Sequence, residues 1–226
     1  EFVKGDVRDL ELLQKSMETA DIIIPLAALV GFPLCDQKPA EAEEVNFEVN
    51  QWIAENKRTD QRVIYPCTNS GYGTSKDGSV CTEESPLNPV SLYGKTKVAA
   101  ENSYRGVENH VTFRLATVYG VSSRMRTDLL VNNFVLKTLR ERILVLNVGN
   151  DALNMNKLQL AEKIQEHLPL EIIIAEFTSD PDTRDYIVSS EKIYSKGFEC
   201  EYDLDDGIRQ LINAYKIIEE PWFANY

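Results

Sequence analysis

Tyr93 and Lys97 stand four residues apart in S-L-Y-G-K-T-K-V-A-A, Ser91 to Ala100, a stretch that reads as the start of a helix. At that spacing both side chains lie on one helical face, so an ammonium can sit beside a phenol. An unperturbed phenol titrates near ~10, and a neighbouring cation favours the phenolate. A tyrosine brought toward neutral pH in this way can act as a general base on a sugar hydroxyl. Tyr-x-x-x-Lys alone is common, so the surrounding chain has to decide its meaning. Thr68, just past an apolar run, is placed either to hydrogen-bond a substrate oxygen or to cap its own loop. Asn46, in V-N-F-E-V-N, falls mid-helix, where asparagine is a poor helix former, and either bonds inward or faces solvent. Asp6, in G-D-V-R-D, either accepts from an adenine amino group or N-caps a helix.

The elements that must position these groups alternate between strand and helix. The chain opens on a strand-like E-F-V-K, and Asp6 to Ala20 reads as an acidic-capped helix with Val7, Leu10, Leu13 and Met17 on one face. Asp21 to Ala28 (D-I-I-I-P-L-A-A) is a continuous apolar run, which predicts a strand buried on both faces of a parallel sheet. Helical spacing returns over Pro39 to Asn56, a second buried strand is expected at Arg62 to Pro66, and a small-residue loop at Cys67 to Thr74. The helix carrying Tyr93 and Lys97 leads to a third strand, Val111 to Val118. This alternation predicts an α/β fold with a doubly wound parallel sheet, and ligands in such sheets bind beyond the carboxyl ends of the strands. After Gly120 the texture changes to helices near Asp128–Arg140 and Asn156–His167, a strand at Glu171–Ala175, a Pro/Asp-rich loop at Ser179–Asp185 and an amphipathic helix over about Asp205–Glu219. Two domains are therefore expected, 1–120 and a smaller α+β lobe over 121–226.

Composition narrows the classes. The 226 residues are 43% hydrophobic, enough for a sizeable core, and carry a net charge of -12, which argues against nucleic acid or an anionic membrane as the main partner. No run reaches the ~18 apolar residues of a membrane helix, and no signal peptide is visible. Cys35, Cys67, Cys81 and Cys200 are scattered, without a C-x-x-C pair or a histidine cluster. That pattern fits reduced thiols in a cytoplasm and no metal site.

Taken in order, G-D-V-R-D, D-I-I-I-P-L-A-A, the loop T-N-S-G-Y-G, E-E-S-P-L-N-P-V-S-L-Y-G-K-T-K and F-R-L-A-T-V-Y-G resemble the extended short-chain dehydrogenase/reductases. More narrowly they are similar to the NAD-dependent epimerase/dehydratase family acting on nucleotide sugars, over nearly the whole chain. The resemblance implies that Tyr93 is the catalytic tyrosine and that Lys97 binds the nicotinamide ribose and lowers the tyrosine pKa. Thr68, four before Tyr72, matches the family's catalytic Ser or Thr. Asp6 and Val7 match adenine contacts, Leu26, Ala27 and Ala28 the strand end beside the cofactor, Asn46 an asparagine behind the active site, and Leu115 a contact toward the nicotinamide. Ser70, Thr117, Asn132 and Arg184 match substrate-side positions, the last three near the diphosphate. Arg124 and Arg126 could add positive charge or simply be solvated. The family further implies a homodimer built on helices near Ala40–Glu55 and Ser91–Tyr104, with Val45, Val49 and Trp52 in core or interface.

Two departures accompany the resemblance. No G-x-G-x-x-G occurs, so the family's first βαβ unit has no counterpart, and the strand-like I-L-V-L (Ile143 to Leu146) abuts N-V-G (Asn147 to Gly149) where the family has a further segment. The sequence is accordingly expected to join pieces of a longer chain, since Ile22–Ala27 and Val63–Tyr65 would otherwise lack a strand neighbour. Within the family, 4,6-dehydratases carry an acidic residue two before the Tyr-Gly tyrosine; here that position is Ser70, preceded by Asn69. Neither is a good general acid, which disfavours elimination. The expected activity is that of a nucleotide-sugar epimerase/dehydrogenase that oxidises the sugar C4 hydroxyl by hydride transfer to NAD in bacterial surface-polysaccharide biosynthesis, and these residues do not decide between return of the hydride as a 4-epimer and loss of the ketone. The alternatives are a GDP-heptose 4-dehydrogenase that releases the ketone, and a non-catalytic NAD-binding scaffold on the same fold.

Overall fold

A computed structural model of the chain describes residues 2–74, 79–141, 143–147, 155–175 and 186–218. In chain order the elements are α1 (Leu10–Met17), β1 (Ile22–Ile23), α2 (Phe32–Gln37), α3 (Pro39–Glu43), α4 (Val49–Asn56), β2 (Arg62–Thr68), β3 (Val80–Cys81), α5 (Leu92–Ser103) and β4 (His110–Leu115). They continue with α6 (Leu130–Glu141), β5 (Ile143–Asn147), α7 (Lys157–Gln165), β6 (Glu171–Ala175), β7 (Ile187–Val188), α8 (Glu191–Tyr194) and α9 (Leu204–Ile217). The chain divides into two compact units, residues 1–73 with 86–116, and residues 74–85 with 117–226.

The first unit is built on a parallel sheet in the order β1-β2-β4, the α/β arrangement expected. Val63, Tyr65 and Cys67 of β2 alternate onto one face and are at most 4% exposed, packed with Met17, Val49, Ile53, Ala100 and Tyr104 from α1, α4, α5 and the turn after it. Proline inside a central strand is rare because it cannot donate to the ladder. Val63 N–H donates to Asn109 O toward β4, so by alternation the missing donor of Pro66 faces the β1 side. Pairing with β1 has already ended there, at Ile23↔Val63.

Several expectations require correction. The run Asp21–Ala28 is not a doubly buried strand: only Ile22 and Ile23 pair, and Ile22, Ile24 and Leu26 are 53%, 51% and 73% exposed. Among the described residues β1 has a single neighbour, β2, so its apolar side chains lack cover, whereas Val63–Tyr65 lies between β1 and β4. Residues 2–4 form no strand, and Phe2 is exposed. The first helix starts at Leu10, with Asp9 rather than Asp6 as its cap; the Asp9 carboxylate accepts from Leu12 N at 3.1 Å. The helix expected over Pro39–Asn56 is interrupted by a π turn, Glu44–Glu48, and the short elements α2, β3, β7 and α8 left no periodic signal.

In the second unit α6, α7 and α9 enclose a core in which Val135, Ala161, Ile164, Ile208 and Leu211 are fully buried. Each of the three larger aliphatic side chains, Ile164, Ile208 and Leu211, contributes on the order of 2 kcal/mol by burial. Reciprocal capping boxes start two of these helices, Asn156 with Gln159 on α7 and Asp203 with Asp206 on α9. Parallel pairs β5–β6 and β3–β7 complete the unit.

Candidate active site

Thr68 is the last residue of β2 and the cap of a one-turn 3-10 helix, Asn69–Gly71. Its hydroxyl accepts from Ser70 N at 3.2 Å and donates to Ser70 Oγ at 3.1 Å, so the capping alternative left open by the sequence is realised. Ser70 is itself buried, at 3% exposure. The turn is locked by its neighbours. Gly73 has φ +70°, and a Cβ there would meet the Asn88 carbonyl oxygen at 1.9 Å, so no side chain fits between the two backbones. Asn88 N donates back to Gly71 O at 2.9 Å.

That contact delivers the chain to α5. Ser91 caps the helix by accepting from Gly94 N at 3.2 Å, and a Cβ on Gly94 would lie 3.1 Å from Ser70 O. The first turn of α5, with a half-buried Tyr93, is thus pressed against the Thr68–Ser70 turn. One turn later Lys97 is 4% exposed, and its ammonium has no hydrogen-bond acceptor among the described residues. It lies 4.3 Å from the centroid of the Tyr65 ring. Burial penalises the charged form and lowers the Lys97 pKa to about 8, Cys67 opposing the shift.

A second buried group follows a further turn along. Glu101 accepts from Arg114 Nε at 3.1 and 3.2 Å and from Nη2 at 2.6 Å, and Arg114 Nη1 donates to Tyr72 Oη at 3.1 Å. Burial acts to raise the Glu101 pKa, but the Arg114 bonds outweigh it and hold the carboxylate below its usual range. Burial also pushes the Cys67 thiol up to about 12 and the Cys35 thiol up to about 11, so neither is a ready thiolate.

Asn46 sits in the π turn with no exposure at all. Its Oδ1 accepts from Leu29 N at 2.8 Å, and its Nδ2 donates to Leu29 O at 2.9 Å and to Thr96 Oγ1 at 3.3 Å. The inward alternative therefore holds: Asn46 ties the loop after Ala28 to α5. Of the strand-end positions, Leu26 and Ala27 are exposed, Ala28 is half-buried and Leu115 is 41% exposed. Val7 is half-buried against the core. Asp6 is exposed and paired with Arg8, whose hydrogen bonds lower its pKa to about 2.

In the second unit Thr117 is exposed, while Asn132, at 1% exposure, accepts from Gly120 N at 3.0 Å and donates to Arg126 O at 2.8 Å. Its amide shapes the 120–126 loop. Arg126 pairs with Asp128, which leaves little of its charge for an anion. Arg184 lies outside the described residues. Among the described residues no group of three or more His, Cys, Asp or Glu side chains is placed to hold a metal, and no helix is long and apolar enough to cross a membrane.

The sequence reading missed Tyr65 and the Glu101–Arg114–Tyr72 network. The signals were present: Tyr65 alternates with Val63 and Cys67, Glu101 follows Lys97 by one turn, and Arg114 stands in F-R-L.

The chain is similar to known proteins over most of its length. Residues 3–154 match the RmlD substrate binding domain. The low-salt glycan biosynthesis protein Agl12 of Haloferax volcanii is 25% identical, covering 95% of this chain and 81% of that protein. A UDP-N-acetylglucosamine 4,6-dehydratase (inverting) of Campylobacter jejuni is 30% identical over 52% of this chain but only 31% of its own length. UDP-glucose 4-epimerase 2 of rice (Oryza sativa) is 32% identical over 47% of this chain and 27% of its own length. Among solved structures, the UDP-glucose 4-epimerase of Thermus thermophilus in complex with NAD superposes with a TM-score of 0.78 at 17% identity, over 94% of this chain and 83% of that one. The hexosamine 5,6-dehydratase TunA gives 0.80 at 16%, over 97% and 84%. At these identities the structures establish the shared fold.

Proposed function

This chain belongs to the RmlD substrate binding domain family, and with it to the extended short-chain dehydrogenase/reductases, and on that premise we propose that it oxidises the C4 hydroxyl of a nucleotide sugar. The observation that carries the proposal is Lys97: a side chain only 4% exposed whose ammonium has no acceptor among the described residues, one turn from Tyr93, on a helix whose first turn abuts the Thr68–Ser70 turn. Leaving a buried charge unpaired is costly, and the cost is explained if a ligand completes its shell.

The ligand that fits is NAD. An ammonium with free donors suits ribose hydroxyls, and the exposed strand-end residues Leu26, Ala27 and Leu115 leave room beyond the carboxyl edge of the sheet. Asp6 and Val7 are proposed at the adenine end. Solved relatives of the same fold carry NAD, the Thermus epimerase among them. When bound, NAD supplies the hydride acceptor. Tyr93 takes the proton from the sugar 4-hydroxyl, Lys97 favours the phenolate that receives it, and Thr68 turns its single hydroxyl hydrogen from Ser70 Oγ to the sugar oxygen as that oxygen becomes a carbonyl. Asn46 holds the strand-end loop in place from behind. Ser70, Thr117, Asn132 and Arg184 are proposed on the substrate side.

Ser70, buried and bonded to Thr68, offers no acid for eliminating a hydroxyl, which favours return of the hydride as a 4-epimer over 4,6-dehydration. The setting is the synthesis of surface-glycan sugars in the cytoplasm. A homodimer belongs to the same reading: a groove of about 620 Å³ lined by Phe47, Gln51 and Trp52 flanks the helices expected to pair, while Val45 and Val49 are already buried within the protomer.

The test is incubation of the full-length protein with NAD and a panel of nucleotide sugars. A 4-epimer is expected, and Tyr93→Phe is expected to lower turnover roughly 10²–10⁴-fold with NAD still bound. Accumulation of NADH with a released 4-ketone would instead favour the GDP-heptose 4-dehydrogenase type of outcome. Cofactor binding without turnover of any sugar would favour the scaffold.

A further inference from the structure

Lys97 is held by something other than a counter-ion. Its ammonium lies over the Tyr65 ring, Cys67 of β2 is the charge partner that bears on it, and Glu101, one turn along its own helix, is already engaged by Arg114. Tyr65 is wholly buried and touches the lysine at two points: its hydroxyl donates to the Lys97 carbonyl oxygen at 3.2 Å, and its ring face lies 4.3 Å from Nζ. The ring is fixed in turn. Tyr104 packs against it at 5.2 Å between centroids, and the Tyr104 hydroxyl is anchored on Asn50 Oδ1 at 3.0 Å.

We propose that Tyr65 is a positioning residue for the reaction, holding the Lys97 ammonium in place through its ring face while leaving all three N–H donors free. The proposal rests on the reading of Tyr93 and Lys97 as the proton-handling pair. The physical reason is the difference between a ring and a carboxylate. A carboxylate would accept a hydrogen bond, fix the ammonium in an ion pair and cancel the field that Tyr93 requires. An aromatic face attracts the cation by its quadrupole and takes no donor away from ribose or phenol. The hydroxyl, bonded to the helix backbone, sets the ring's distance from the helix. Tyr65 acts through Lys97 and touches neither the sugar nor the cofactor in this scheme.

Replacing the ring by a smaller side chain would open a core cavity, so the informative series keeps its size. Tyr65→Phe removes only the hydroxyl, and mono-, di- and trifluorinated phenylalanines at the same position weaken the ring quadrupole stepwise at nearly constant shape. The readouts are the titration midpoint of the Lys97 ammonium, followed by NMR on ¹⁵N-lysine-labelled full-length protein and assigned by its disappearance in Lys97→Arg, and the pH profile of turnover. Tyr65→Phe, which keeps the ring and loses the hydroxyl, is the reference against which the fluorinated series is read. The fluorinated series is expected to lower the midpoint stepwise, by about one pH unit in total, with the alkaline limb of turnover moving in parallel. A midpoint that is flat across the series overturns the role of Tyr65, even where Lys97→Met abolishes turnover. A stepwise midpoint with an unmoved pH profile also overturns it as a positioning residue, and removes the catalytic reading of Lys97 with it.

Discussion

Lys97 and Glu101 lie one turn apart on α5, both buried, and the fold treats them in opposite ways. Glu101 receives three contacts from Arg114, which is steadied by Tyr72, so its charge is compensated within the protein. Among the described residues the Lys97 ammonium rests on the face of Tyr65 and has no acceptor. A buried ion pair needs no ligand to exist, and its worth is structural: it joins α5, β4 and the Tyr72 turn. A buried cation without an acceptor is a standing cost that packing alone does not explain. On the proposed reading, the difference separates the part of the helix that builds the site from the part that works in it.

The comparison can be broken most readily at its structural end. Arg114→Leu would strand the Glu101 carboxylate in the core, and a loss of about 3–5 kcal/mol in a denaturant titration is expected. A loss under 1 kcal/mol would show that Glu101 finds water or another partner, and the pair would no longer count as compensated. The double variant Glu101→Leu/Arg114→Leu sharpens the point with a smaller effect. Removing both charges together is expected to return stability to within about 1 kcal/mol of the parent, because no uncompensated group remains. Additive losses in the double variant would contradict that account.

Much of this architecture was legible in the sequence. The order of strands and helices followed from apolar runs and helical periodicity, and β6 occupies the expected residues Glu171–Ala175. The failures have physical causes. Asp21–Ala28 has the composition of a buried strand, but burial needs neighbours on both sides, and composition cannot supply them. Asp6 and Asp9 are equivalent as caps on pattern; which carboxylate reaches a free N–H depends on where the helix begins. The π turn around Asn46 is set by the tertiary bonds of its amide to Leu29 and Thr96, residues 17 and 50 positions away. The pair of positions Tyr93 and Lys97 was readable from spacing and motif order. The burial of Lys97, the absence of an acceptor for it and the ring beneath it were not, because each arises from packing between α5 and β2.

The central claim is that the Lys97 charge is retained for function at a cost to stability, and stability and turnover measured together on Lys97→Met test it most directly. With its pKa lowered to about 8 in the folded chain against 10.5 as the reference value, the lysine opposes folding below pH 8. That opposition is relieved as pH rises toward 10.5, where the folded state has already shed a proton that the unfolded chain still holds. Lys97→Met is therefore expected to be more stable than the parent by about 2 kcal/mol at pH 7, with the gain fading between pH 8 and 10.5, and to be inactive on every nucleotide sugar the parent converts. A variant that is less stable at pH 7, or one that still turns over substrate, would contradict the account.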